Sequence, residues 1–138
     1  MYDSIITVFN FHEKTETWRT TVFEGVSLYE VSAETATRDS GKTNSDTVDL
    51  IIPTQADVIC RYTGSKAYAN MDDPQGFFTF KAESDFFVVG NHFSLEPISD
   101  DDYDEGLYHH LNNTQDGVYM ITSVAFFGLL PHFEIGGR

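Results

Sequence analysis

The chain has 138 residues, of which 22 are acidic and eight are basic, so its formal net charge is −14 at pH 7. This length suits a single domain over residues 1–138. Such an acidic surface repels nucleic acid and anionic membranes at long range. We therefore expect no direct sequence recognition of nucleic acid and no attachment to a membrane.

Targeting signals and cysteine chemistry are also not expected. The opening segment MYDSIITVFNFHEKT lacks the basic segment and long apolar run of a signal peptide. No apolar stretch approaches the roughly 18 residues of a membrane helix. The single Cys60 cannot form an internal disulfide, and we expect it to be a small buried side chain rather than a nucleophile.

The first half of the chain predicts consecutive strands. Alternating apolar residues over 4–11 indicate one strand, and residues 16–23, anchored by Trp18, indicate its partner across a polar turn. Glu24 and Gly25 are expected to form a second turn. Further strands are predicted over 26–37, 47–53 and 58–62, the last of which is alternatively a short turn of helix.

Residues 77–90, with the sequence FFTFKAESDFFVVG, predict the central hairpin of the fold. Residues 77–80 and 86–89 are rich in strand-favouring side chains and are too short for helices. The polar break between them, residues 82–85, suits a turn. Because so many phenylalanines avoid water, other strands are expected to cover both faces of this pair.

The remaining segments predict loops, one helix and two closing strands. Residues 38–46 and 63–76 are polar and turn-rich, so we expect them to be surface loops. Residues 99–112 carry acids in the first turn and an apolar repeat of four, which favours a helix capped by Ser99. Strands are predicted over 118–127 and 132–135. The sequence therefore predicts an all-β, antiparallel barrel or sandwich with one short α-helix.

The residues that could form catalytic or metal-binding sites do not have the spacing that the known motifs require. Asp100, Asp102 and Asp104 alternate as in a calcium-binding loop, but Glu105 and Leu111 occupy the positions where that loop needs glycine and glutamate. No catalytic triad or phosphate-binding loop is present in the sequence. We therefore expect no enzymatic activity, no catalytic residues, no cofactor and no metal.

Aromatic side chains leave one alternative open. Trp18 and the seven tyrosines are able to stack on sugars or on a protein partner, although core packing is the simpler expectation for Trp18. The alternative function is thus a ligand-binding β module, for carbohydrate or for protein.

Four segments together carry a resemblance to a known class of proteins. They read TVFNFHEKTETWRTTVFEGVSLYE, DLIIP, GFFTFKAESDFFVVGN and YMITSVAFFGLLPHFEIGGR, and the most specific parts are residues 77–90 and the closing HFEIGG. Their order resembles small minor structural proteins of phages and prophages from Gram-positive gut bacteria. The resemblance covers most of the chain, and the acidic residues 97–112 depart from it.

This resemblance implies a non-enzymatic virion component, either a head–tail connector of the head-closure type or a minor capsid protein. The implied partners are copies of the chain in a ring and other phage head and tail proteins. The implied location is the host bacterial cytoplasm before assembly and the virion afterwards. Stopper, tail terminator and minor capsid roles all stay open, and the contacts are expected in the loops 38–46 and 63–76.

Overall fold

The computed structural model describes residues 4–31, 47–53 and 60–138 of the chain. Within these ranges nine strands occur in the order β1 (Ser4–His12), β2 (Thr17–Val31), β3 (Thr47–Pro53), β4 (Arg61–Tyr62), β5 (Phe77–Phe78), β6 (Phe86–Val89), β7 (Ile98–Ser99), β8 (Val118–Phe127) and β9 (His132–Gly137). The helical elements are α1 (Ser65–Asn70), α2 (Leu107–Thr114) and a 3-10 turn at Asp100–Asp102.

Six of these strands close into an antiparallel barrel. Their order is β1–β6–β8–β9–β3–β2, and β2 returns to pair with β1. The short strand β7 extends β2 outside the barrel, and β4 and β5 form a separate parallel pair. This closed order confirms the predicted fold class, an antiparallel all-β barrel or sandwich with a short α-helix, and shows that it is a barrel. Closure is favourable because it pairs the strand edges that an open sheet exposes.

A β-bulge replaces the turn that was predicted at Glu24 and Gly25. The strand β2 is continuous, and Gly25 adopts a φ of 73° in the middle of it. The pairing with β1 shifts register at this point, and from Ser27 onwards β2 pairs with β3 instead. A bulge with glycine in the left-handed region bends a strand without ending it, which is how one long strand serves two neighbours.

The predicted central hairpin is wrong, although β6 is a barrel strand. β5 pairs with β4, whereas β6 pairs with β1 and β8. The Asn10 side chain donates to the carbonyl of Thr79 at 2.6 Å and accepts from its N–H at 3.3 Å. These bonds occupy both backbone groups of Thr79, which lies inside the first run, so these groups are not available for a hairpin ladder with the second run.

The predicted helix over 99–112 is shorter and begins later. Ser99 ends β7 and makes no side-chain cap bond, and the first α-helical residue is Leu107. Gly106 has a φ of 93°, which a right-handed helix does not contain, so the helix cannot extend further back. The Asp100 carboxylate instead accepts from the Leu107 N–H at 2.9 Å.

The segment 63–76 lies at the surface, as predicted, and most of its residues are exposed, but it is partly helical and is anchored to the barrel. It contains α1, whose Tyr68 is 1% exposed and meets the His12 ring edge-on at 5.7 Å. The His12 Nε2–H donates to the carbonyl of Met71 at 2.7 Å, which fixes the end of α1. The other predicted loop, residues 38–46, lies outside the described residues.

Apolar side chains form two clusters on opposite faces of the barrel wall. The inner cluster takes residues from all six barrel strands, including Ile6, Phe23, Leu50, Phe87, Ile121 and Ile135. The outer cluster comprises Phe9, Trp18, Phe86, Val88, Leu107 and Val118. Alternation along a strand sends neighbouring residues to opposite faces, so Phe86 and Phe87 serve different clusters. The expectation that both faces of β6 are covered is confirmed, but α2 rather than another strand covers the outer face.

Candidate interaction surface

The tip of the β8–β9 hairpin, residues 126–131, is an apolar surface exposed to solvent. The exposed fractions are 96% for Leu129, 77% for Leu130, 56% for Phe126 and 45% for Phe127. His132 and Pro53 are the last residue pair between β9 and β3, and the turn lies beyond this pair. Leucines are rarely placed in a tight turn for local reasons, because turns favour glycine, proline and short polar residues. The exposed leucines therefore make the tip a candidate contact surface.

The outer edge of β8 continues this surface along the hairpin. Pairing between β8 and β6 covers Val118 to Met120 only, and the Ile121 N–H then donates to the carbonyl of Asp85 at 3.0 Å. Beyond Ile121, no strand in the described part of the chain pairs with this edge. An apolar strand edge is a site where proteins associate unless it is covered.

His132 holds the base of the hairpin tip. Its Nδ1 contacts the carbonyl of Leu130, and its Nε2 contacts the Glu134 carboxylate at 2.9 Å. Both partners are acceptors, and the imidazolium offers a donor to each of them. The Glu134 carboxylate and the Leu130 carbonyl accordingly raise the pKa of His132.

A cleft of about 160 Å³ lies between β2, the segment before β5 and the segment after β6. Phe77 and Cys60 contribute to its walls, and Phe93 and Leu95, which are 55% and 64% exposed, form its outer part. Among the lining residues that the structure describes, Arg19 alone is charged. The Arg19 guanidinium lies 3.4 Å from the carbonyl of Leu95 and 3.5 Å from the Asp73 carboxylate.

An aromatic hollow of about 300 Å³ lies where the hairpin meets β4 and β5. Phe126 packs against Phe133 with ring centroids 5.2 Å apart, and Phe133 packs against Tyr62 at 4.9 Å. Cys60 borders this hollow as well as the cleft. The contacts of Phe126 anchor the base of the hairpin tip to the barrel, whereas Leu129 and Leu130 lie beyond them.

A polar cluster around Asp85 is buried in the barrel wall. Asp85 is 1% exposed, and its carboxylate accepts from the Asn10 side chain at 2.9 Å, the Phe11 N–H at 3.0 Å and the Lys81 N–H at 3.1 Å. Burial favours the neutral acid more strongly than these three donors favour the carboxylate. Burial thus raises the pKa of Asp85 to about 6.

Residues weighed as chemical candidates have structural contacts. Trp18 is 6% exposed, and its indole N–H donates to the Asp100 carboxylate at 2.8 Å. His109 forms an ion-pair contact with Glu105 at 3.0 Å on the surface. Over residues 4–31, 47–53 and 60–138, no group of three or more histidine, cysteine, aspartate or glutamate side chains is placed to hold a metal ion. No helix in these ranges is long and apolar enough to cross a membrane.

One family model matches residues 1–138 of the chain, and its description is "Family of unknown function (DUF6751)". The chain belongs to DUF6751. No curated protein and no solved structure matches this DUF6751 chain.

The sequence analysis of this DUF6751 chain named residues 38–46 and 63–76 as contact segments and did not single out the hairpin tip. The sequence does contain a pattern that distinguishes the tip from the rest of the chain. From Gly117 to Pro131 no residue is charged, in a chain with 30 acidic and basic residues, 22 plus 8. The pair Leu129-Leu130 also lies between Gly128 and Pro131, where a turn normally carries polar residues.

Proposed function

We propose that the chain is a non-enzymatic structural subunit of a phage or prophage virion, of the head–tail connector or minor capsid kind. The apolar hairpin tip is the observation that carries the proposal. An apolar tip of this kind is a cost to an isolated acidic monomer and becomes favourable when another protein covers it. The resemblance of the four sequence segments to small phage structural proteins supports the same assignment.

The architecture suits a subunit of an assembly. A closed barrel, filled by its inner cluster, is a rigid body whose own strand edges are largely satisfied. The hairpin tip and the β8 edge lie on this rigid body, so docking them needs little rearrangement. The proposed partners are other copies of the chain and further phage head and tail proteins, with the virion as the final location.

A ligand-binding β module is the second candidate, and the cleft is the feature that favours it. Its aromatic and aliphatic walls with one guanidinium are the kind of lining that binds an amphipathic ligand. The volume of the cleft, about 160 Å³, is below the roughly 300 Å³ of the smallest typical ligand pockets, and the aromatic hollow of about 300 Å³ only reaches that lower limit. Trp18, the aromatic residue first considered for sugar stacking, is buried against Asp100. The structural role therefore ranks first.

The proposal predicts that the chain is a component of purified particles. Particles induced from the source bacterium should contain the chain at a fixed ratio to the portal protein, measured by quantitative mass spectrometry. The flanking genes are expected to encode portal, capsid or tail proteins. A cytosolic protein absent from the particles would contradict the proposal, and a sugar-utilisation cluster around the gene would favour the ligand-binding candidate.

A further inference from the structure

We propose that the hairpin tip of one copy docks in the cleft of a second copy, so that copies associate head to tail. This inference rests on the proposed function, because it names the contact through which the structural subunit would assemble. The tip supplies Leu129 and Leu130. The cleft supplies the apolar walls around Phe77, Phe93 and Leu95.

The two surfaces match in shape and size. The tip is convex, and Leu129, at 96% exposure, makes almost no contact with its own chain. The cleft is concave and holds about 160 Å³. An engineered apolar cavity of roughly 150 Å³ accommodates benzene, and the side chain of leucine is smaller than benzene. The cleft is therefore large enough to accept a leucine side chain from another molecule.

The two surfaces also match in charge. The chain carries a net charge of −14, so most of its surface repels another copy. The tip is an exception because no residue from Gly117 to Pro131 is charged. The cleft is a second exception because Arg19 is the one charged residue among its described lining. Because the Arg19 guanidinium is paired with the Asp73 carboxylate at 3.5 Å, docking brings an uncharged tip to a lining whose single charge is balanced, which keeps repulsion between copies low.

Head-to-tail docking in a closed ring covers both exposed apolar surfaces of every copy. The tip and the cleft lie on different elements of the fold, so one neighbour covers Leu129 and Leu130 and the other neighbour covers Phe93 and Leu95. Pairing of two tips would leave Phe93 and Leu95 in water and would end at a dimer. Contact between two different surfaces continues from copy to copy and produces a ring when the rotation closes.

A single contact of this size is expected to be weak. Stable protein interfaces bury about 1,200–2,000 Å² in total, and a tip of six residues in one cleft supplies part of that area. Each copy in a closed ring makes the contact twice, once with its tip and once with its cleft. Association is therefore expected to depend steeply on protein concentration.

The native Cys60 at the cleft allows a direct test by disulfide trapping. One protein is the full chain with Cys60 as its single cysteine, and the other is the Cys60→Ser, Leu129→Cys variant. Under mild oxidation an equimolar mixture is expected to give a covalent heterodimer, while each protein alone stays mostly uncross-linked. Intact mass spectrometry identifies the product. Separating the two cysteines on different chains excludes cross-linking within one molecule.

Matched variants identify the surfaces involved. Cys60→Ser, Asn113→Cys carries its cysteine on the exposed face of α2 and should give at least fivefold less heterodimer than the tip variant. Leu95→Glu in the Cys60 partner should reduce the heterodimer similarly, because Leu95 borders the cleft and not the aromatic hollow.

Two outcomes overturn the inference. One is a heterodimer yield no higher than that of the Asn113→Cys control, and the other is efficient homodimer formation by the Leu129→Cys variant alone, which indicates tip-to-tip pairing. If either result is obtained but the chain is found in purified particles, the head-to-tail contact is rejected and the proposed function stands. If the chain is absent from the particles, the proposed function itself is rejected.

Discussion

Replacement of Phe86 by alanine is expected to lower the free energy of unfolding by about 3–5 kcal/mol. Phe86 is fully buried in the outer cluster, where its ring stacks on Phe9 at 4.7 Å and meets Trp18 edge-on at 4.9 Å. Truncation removes these contacts and leaves a cavity between the barrel wall and α2. Because small domains are stable by only about 5–15 kcal/mol, the variant should unfold at a much lower urea concentration.

Phe126→Ala is the matched control, since it makes the same chemical change at a residue that is 56% exposed. Its main aromatic contact is with Phe133, so we expect a loss of no more than about 1.5 kcal/mol. Urea denaturation followed by tryptophan fluorescence compares the two variants. Equal losses would show that the outer cluster is not part of the cooperative core.

Asp85→Asn is expected to change how stability depends on pH. Burial raises the pKa of Asp85 from 3.8 to about 6 in the folded state. Between pH 3.8 and about pH 6, Asp85 is therefore protonated in the folded protein and ionised in the unfolded chain. The stability from this carboxyl is fully present below pH 3.8 and is lost as the pH rises through about 6. Asparagine does not titrate, so the variant lacks this loss.

The expected size of the effect follows from the size of the pKa shift. A change of one pKa unit corresponds to about 1.4 kcal/mol, so two units correspond to roughly 3 kcal/mol. The stability of the variant relative to wild type should rise by about this amount between pH 4 and pH 7. One of the donors from Asn10, Phe11 or Lys81 loses its acceptor in the variant, which costs about 1–3 kcal/mol at every pH.

Urea denaturation of both proteins at pH 4, 5, 6 and 7 measures the difference. Parallel curves across this range would mean that Asp85 is ionised throughout and that its three donors outweigh its burial.

Most of the strands could be predicted from the sequence, because the alternation of apolar and polar residues is a local pattern, but the short β7 was not predicted. The predicted bounds of β3 and β8 agree with the structure, and those of β1 differ by one residue. Strand pairing was not readable in the same way. The side chain of Asn10 binds the backbone of Thr79, which is 69 residues away, and so occupies backbone groups of the first phenylalanine run. Gly25 looked like a turn because a bulge and a turn both use glycine with a positive φ.

The candidate surface was only partly readable. The uncharged stretch from Gly117 to Pro131 is visible in the sequence, but a buried strand gives the same pattern. The pairing of β8 and β9 with their neighbours decides which of these residues are covered and which are exposed. The cleft was not readable, since it is formed by segments around Arg19, Phe77 and Leu95 that are distant in the chain.

Light scattering across a series of protein and salt concentrations tests most directly whether the hairpin tip drives assembly. The wild-type chain, with a monomer mass of 15.6 kDa, should grow in mean mass with protein concentration. The increase in mean mass should be greater at high salt, because salt screens the repulsion between acidic copies. The screening length is about 8 Å at physiological ionic strength and shorter at higher salt. Leu129→Gln, which removes the apolar side chain without adding charge, should stay near the monomer mass, whereas Asn113→Glu should associate like wild type. Equal association of wild type and Leu129→Gln, or a strict monomer in all conditions, would contradict the account.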